Sequence, residues 1–413
     1  MGKPAILLVD PVRSGVKYKA AAGDLGFAVA SLYTSEFSAS TPANEAGDDF
    51  STYGADIDAV ARQIADSGLD VRAVVPATEG AVFLADHLAD RLGLAGNNPR
   101  FAWARRNKAA MRERAAESGL RVPEFRLAHD EQQVRQAVAE LAFPAIVKPT
   151  MGACSQGVVV LSSEADLPVL DDLVTHDLFG EPITEWLVER YVRGSEYAVN
   201  FYSVDGEHRL VDVWEYLMPD DRDYDFPVWE TIQLAPTDAR VERVADFVQS
   251  TLDAFGIRLG PSHTEVKLDE DGEVHLIEVA ARLPGGPFTE MWDRHSDVIR
   301  PFHDSVECYL GRRPALMDEP PAFKAVFGSL AINNEDRPGT LRAVHGLEHL
   351  DRMPGIDRVL VDCRPGDHLR VTTDSSHIPL SVFVTGPDAD AVLATMKTVR
   401  SLVSLDVEPD PVP

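Results

Sequence analysis

Short apolar runs alternating with helix-length segments open the chain. Ala5-Ile6-Leu7-Leu8-Val9-Asp10 reads as a buried strand, residues 15–26 as a helix ending at Gly26, and 27–33 as the next strand. Residues 35–54, rich in Ser, Thr, Asp and Gly, read as a loop. A helix near 55–67, a strand at 71–75 and a helix near 79–92 continue the alternation, which predicts a small parallel α/β domain. No G-x-G-x-x-G turn follows the first strand, so this domain is not read as a dinucleotide site. Asn97-Asn98-Pro99 marks a boundary, and residues 100–118 read as one helix rich in Ala and Arg.

Further elements are expected at 122–127, 130–141, 144–148, 157–161, 185–191, 195–203, 207–215, 240–255 (a helix), 262–268 and 274–279. Antiparallel pairings outnumber crossovers here, so this region is α+β. A third region opens at about 320–330. It has strand-like runs at 359–361, 369–372 and 380–384 and a closing helix at 387–402. The tail from Glu408 to Pro413 is expected to be extended or frayed.

With 413 residues the chain exceeds what one core organises, so two to four domains are expected. No apolar run approaches the roughly 18–20 residues of a membrane span, and the short apolar start makes a poor signal peptide. A net charge of −28 argues against nucleic acid and against an anionic membrane as partners. A nucleotide site in so acidic a chain must gather positive charge locally. Cys154, Cys308 and Cys363 form neither a metal spacing nor a disulfide framework, so a cytoplasmic location is expected.

Chemistry concentrates at His263-Thr264-Glu265-Val266-Lys267-Leu268 and Leu276-Ile277-Glu278-Val279-Ala280-Ala281-Arg282. The turn Asp269-Glu270-Asp271-Gly272-Glu273 sets these strands side by side. Each carries a carboxylate that is costly to bury unless paired or metal-bound. With Arg282 four residues on, the pattern reads as a divalent-cation and phosphate site. Lys148 ends the buried strand Ala145-Ile146-Val147, and Thr150 to Gly157 form a small-residue loop whose N–H groups can meet an anion. Lys108 lies on a preceding helix. Glu189 and Glu196 flank the Gly-containing turn at Gly194. Taken singly, each has a plain structural explanation: a snorkelling strand-end lysine, a solvated helix lysine, a surface hairpin.

Together and in this order, these motifs resemble the ATP-grasp superfamily, and His263-Thr264-Glu265 with Ile277 to Arg282 resembles its L-amino-acid ligase branch, which makes dipeptides. The resemblance covers residues of about 1–330. It implies an α/β and α+β multidomain ATP-grasp fold: an N-terminal Rossmann-like domain (1–97), a core (98–319) with a small lid subdomain (about 122–190) and a large one (about 191–319), and a C-terminal α+β extension (320–413). It implies an ATP-dependent ligase that joins two amino acids, α- or γ-linked, through an acyl phosphate. The cofactors implied are ATP and Mg2+, with Mn2+ as a substitute, and a homodimer is compatible because dimers are common among relatives.

Carried over residue by residue, Lys108 and Lys148 meet ATP phosphates, and Ser155, Gln156 and Gly157 close over them. Glu189 and the Val192 backbone hold adenine with Arg190 between, and Glu196 holds ribose. Glu265 and Glu278 bind Mg2+, and Arg282 faces the γ-phosphate and acyl phosphate. His263, Gly285 and Gly286 border the amino-acid pocket, for which Trp214-Glu215-Tyr216 and Asp220 to Tyr224 offer acids. Many superfamily members carry a ligand Asn where this chain has Ala280. That departure, with His263-Thr264-Glu265, weighs against a carboxylase-like or nucleotide-biosynthesis enzyme. The presence of Lys148, Glu278 and Arg282 weighs against a non-catalytic nucleotide binder.

Overall fold

The computed structural model describes residues 2–34, 42–177, 182–218, 228–286, 288–335 and 337–411. The N-terminal part is a parallel sheet in the order Phe50–Tyr53, Ala28–Tyr33, Pro4–Val9, Asp70–Pro76. Its edge strand falls in the stretch expected to be a loop, because polar anchors rather than apolar residues hold it. Asp48 accepts hydrogen bonds from Ser31 and Tyr33, and Asp49 accepts one from the Val29 N–H.

Residues 100–118 are two elements instead of one helix. A 3-10 turn at Pro99–Phe101 precedes the helix Lys108–Glu117. Asn107 starts the second by accepting the Ala110 N–H at 3.0 Å. That break points Lys108 and Arg112, one turn apart, at the strands beyond.

A four-stranded antiparallel sheet follows, in the order Phe125–Ala128, Trp186–Arg190, Ala145–Pro149, Val159–Leu161. The largest sheet has eight strands: Val274–Ala280, Gly260–Leu268, Ser195–Val204, Glu207–Leu217, Glu230–Gln233, Val326–Ile332, Leu380–Gly386, Ile356–Val361. It runs without a break past residue 320, so the C-terminal strands extend the sheet that carries Glu265 and Glu278. The run 369–372 pairs only at His368–Leu369. Of the tail expected to be extended or frayed, the described start is extended: Ser404–Pro409 is a strand on Gly339–His345, and the Asp410 N–H donates to the Pro338 carbonyl.

One apolar cluster links the regions, joining Ile6, Leu8 and Tyr18 to Trp214, Trp292, Phe327 and Phe383. Among the described residues no helix is long and apolar enough to cross a membrane.

Candidate active site

The hairpin Gly260–Leu268 and Val274–Ala280 pairs Glu265 directly with Glu278, and His263 with Ala280. Partners across an antiparallel pair share one face, so both carboxylates front the same cavity. Lys108 Nζ reaches Glu278 at 3.1 Å and the Gly152 carbonyl at 3.3 Å. Burial by itself would raise the Glu278 carboxyl, but Lys108, Lys148 and Arg282 outweigh it and hold it well below the usual carboxylate range. Glu265 accepts a hydrogen bond from Tyr216 Oη at 3.1 Å. Among the described residues no group of three His, Cys, Asp or Glu is placed to hold an ion by itself. Two facing carboxylates with open cavity beside them are the donor set that Mg2+ takes, since it seldom accepts an all-protein cage.

Lys148 is the last residue but one of the strand Ala145–Pro149 and lies 2.5 Å from Glu189. The other Glu189 oxygen takes the Arg112 guanidinium at 2.5 Å. Burial disfavours the charges of both Glu189 and Lys148. Glu189 is nevertheless held below its ordinary value by Arg112 and Lys148, whereas for Lys148 burial outweighs Glu189 and lowers it. The Glu189 carboxylate is thus committed to two cations while it borders the cavity. Arg112 was invisible in the sequence: its spacing from Lys108 is visible, but not what faces it.

Arg190, Val192, Glu196, Ser155 and Gln156 line the same cavity, as do Lys108, Lys148, Glu189, His263, Glu265, Glu278 and Arg282. The chain after Val192 turns at Gly194, φ +134°, where a Cβ would stand 2.1 Å from the Leu268 carbonyl oxygen. Only glycine lets the turn lie so close to the strand that carries Glu265. Glu196 stands 3.8 Å from Lys267. Gly157 packs under the loop against Val174 and Pro149 and does not line the cavity.

A second cavity of about 790 Å3 lies beside the first, walled by the N-terminal sheet end (Asp10, Thr34, Glu79), by Phe83 and Trp103, and by Pro284 and Gly285. Met151, Ala153, Cys154 and Arg282 line both cavities. Arg282 is clamped by Glu79, 2.5 Å from its Nε. Burial opposes its charge, but Glu79, Glu278 and Glu265 prevail and raise its value. Glu79 was missed because the N-terminal domain carries no phosphate motif. Gly285 borders the second cavity with open space at its Cβ, while Gly286 adopts φ +66° and serves the turn.

His263, expected to border the amino-acid pocket, lines the first cavity. A buried relay holds it there. Asp212 accepts from Asn200 (2.8 Å), Trp214 (2.8 Å), Trp292 (2.8 Å) and Gln233 (3.1 Å). With its amide donating to Asp212, Asn200 turns its Oδ1 to His263 Nδ1, 2.8 Å away. His263 Nδ1 therefore carries the proton, and Nε2 lies 3.6 Å from Glu265. The acids offered elsewhere are engaged: Glu215 pairs with Arg240, and Trp214 is core. Asp220 to Tyr224 lie outside the described residues.

Residues 141–290 match the family model for an ATP-grasp domain, and 335–408 match L-amino acid ligase C-terminal domain 2. Dapdiamide A synthase of Enterobacter agglomerans is 32% identical over 221 residues, 52% of this chain and 51% of its own. The L-arginine-specific L-amino acid ligase of Bacillus subtilis is 24% identical over 298 residues, 71% of this chain and 70% of its own. The match to the first of these thus spans about half its length. A crystal structure of an L-amino acid ligase from Bacillus licheniformis superposes with TM-score 0.74 at 19% identity, covering 99% of this chain and 100% of that one.

Proposed function

We propose, for a chain that belongs to the ATP-grasp superfamily and to its L-amino-acid ligase branch, that it is an ATP-dependent carboxylate–amine ligase joining two amino acids. The observation that carries this reading is the junction of two cavities at Arg282 and Met151 to Cys154. One side offers the charges a polyphosphate needs. The other has the size of a small-molecule pocket. A carboxylate in the second cavity would accept the γ-phosphoryl group from the first, and an amine would then displace phosphate from the acyl phosphate.

In this reading Lys108 and Lys148 neutralise phosphate oxygens, and Glu189 and Arg112 keep Lys148 aimed. The Val192 backbone, with Arg190 and Glu189 at the hinge, borders adenine, and Glu196 takes ribose hydroxyls. Glu265 and Glu278 would hold Mg2+, which offsets charge on the transferring group when bound. Ala280 supplies no ligand, so water and phosphate complete the shell, and Mn2+, also content with oxygen ligands, would substitute. The Arg282 fork, fixed by Glu79, faces the oxygens that pass between the two substrates. Ser155 and Gln156 exclude water, to which an acyl phosphate is otherwise lost. The three unpaired cysteines suit a reducing cytoplasm, and a homodimer is part of the reading, testable by light scattering.

The test is phosphate release from ATP and Mg2+ across a panel of amino-acid pairs, with product mass identifying both partners and the linkage. Stimulation by particular pairs is expected, and Glu278→Gln should cost at least ~100-fold in turnover, as loss of a charge aimed at the transition state does. Release that no pair stimulates, or full turnover by Glu278→Gln, would reject the reading.

A further inference from the structure

The C-terminal region sends one residue into the first cavity. Ser375 lines it, the only described lining residue beyond Arg282. Its N–H donates to the Cys154 carbonyl at 3.0 Å, across 221 residues of sequence. Cys154 and Ser155 sit at φ +63° and +58°, left-handed backbone that residues with side chains rarely adopt. Such a loop holds its shape only when its surroundings fix it. On one side Lys108 and Arg106 hold the Gly152 carbonyl, at 3.3 and 3.4 Å. On the other stands Ser375.

The segment bearing Ser375 is itself built to stay in place. Asp374 accepts the Ser376 N–H at 3.0 Å, Ser376 Oγ at 2.6 Å and His377 Nδ1 at 2.6 Å. Two residues earlier, the Thr372 N–H donates to the Asn334 carbonyl at 2.9 Å, and the Asn334 N–H donates to Thr372 Oγ1 at 3.0 Å. Asn334 lies just beyond Val326–Ile332, a strand of the eight-stranded sheet that also carries Glu265 and Glu278. A continuous path therefore runs from the metal strands, through the sheet, to the loop over the phosphates.

We propose that residues 374–377 latch the phosphate loop in its closed form, with Ser375 as the positioning residue. The proposal rests on reading the first cavity as the nucleotide site. In this role the C-terminal domain holds the loop shut while the acyl phosphate exists, so that the amine and not water attacks.

Ser375→Pro tests this with little disturbance elsewhere. It removes the N–H at the first residue of a 3-10 turn, where proline is tolerated. Asp374 before it is already extended (φ −148°, ψ 158°), as a residue preceding proline must be. Ser375→Ala keeps the N–H and removes only the hydroxyl. In the full chain with MgADP, hydrogen exchange at residues 151–157 should speed up roughly three- to tenfold in Ser375→Pro, the effect of losing one hydrogen bond. Phosphate released per amide bond formed should rise as well. Ser375→Ala should stay within about twofold of the parent on both readouts, since its tether is intact. Loop protection in Ser375→Pro equal to the parent's would overturn the latch while leaving nucleotide binding standing. Should that variant fail to fold, the parent protein decides: MgADP must slow exchange of the Ser375 amide in step with the loop, and an unchanged amide overturns the proposal. Failure of the parent to bind MgADP would instead remove the nucleotide reading, and the latch with it.

Discussion

At the scale of single residues, the site is governed by which charges are already committed. Glu189 is 1% exposed between Arg112 and Lys148. Glu189→Ala leaves two buried cations without their counter-charge and is expected to cost roughly 3–5 kcal/mol of stability, read by urea denaturation. Glu189→Gln should cost less but weaken ATP binding, because Lys148 loses the charge that aims it; an unaltered affinity would return Lys148 to a merely structural role. Gly285 gives a second residue-scale expectation. Its Cβ position opens on the second cavity, so Gly285→Leu should narrow the range of amino acids accepted without disturbing ADP binding. An unchanged substrate range would detach that cavity from the substrates. Lys148, Glu265, Glu278 and Arg282 were legible because each breaks an apolar pattern at a strand. Arg112, Glu79 and the Asn200–Asp212 relay were not, since a residue whose meaning lies across space leaves no periodic trace.

Among elements, those with a strong internal pattern were read closely. The hairpin of Gly260–Leu268 and Val274–Ala280 declares itself by apolar alternation around an acidic, Gly-containing turn. Elements stabilised from outside were missed or misjudged. Glu230–Gln233 is a strand because Glu207–Leu217 and Val326–Ile332 flank it. The helix Pro301–Tyr309 was unassigned, and it carries a costly group. Asp304 is 1% exposed and accepts the Arg300 N–H at 2.7 Å. Burial, aided by Glu307 and Asp293 and opposed by Arg300, pushes its carboxyl up to about 7. The folded state thus binds this proton more tightly than the unfolded chain. The resulting stability is complete below the unfolded value of 3.8 and is lost as pH rises through about 7. Asp304→Asn keeps an acceptor for the Arg300 N–H and cannot titrate. Unfolding free energy against pH should therefore fall more steeply for the parent than for Asp304→Asn between pH ~4 and ~8, opening a gap on the order of 1–3 kcal/mol. Parallel curves would contradict the assignment.

Across the whole molecule, three regions of sequence share one interior. The apolar cluster holding Tyr18, Trp214 and Phe383 draws on the N-terminal sheet, the core and the C-terminal strands alike. Arg105 adds a polar tie at the same junction. It is fully buried, 2.5 Å from Asp86 of the N-terminal helix Val82–Arg91, and it donates to the carbonyls of Phe255 (2.6 Å) and Asn98 (2.9 Å). Burial raises the Asp86 carboxyl even with Arg105 opposing it. Arg105→Ala would strand that group in the interior and is expected to cost roughly 3–5 kcal/mol. Where that cost appears distinguishes two architectures. If the regions were separate bodies joined by linkers, calorimetry would show an early minor transition from the N-terminal part while the remainder kept its original melting temperature. A shared interior requires the main transition itself to move down and stay single, because Ile6 and Tyr18 cannot leave the cluster without exposing Trp292 and Phe327. The same coupling bears on chemistry, since Glu79 reaches Arg282 from the N-terminal part. Glu79→Gln should then lose amide formation more than ADP affinity, as Arg282 loses the charge that clamps it while Lys108 and Lys148 keep their partners.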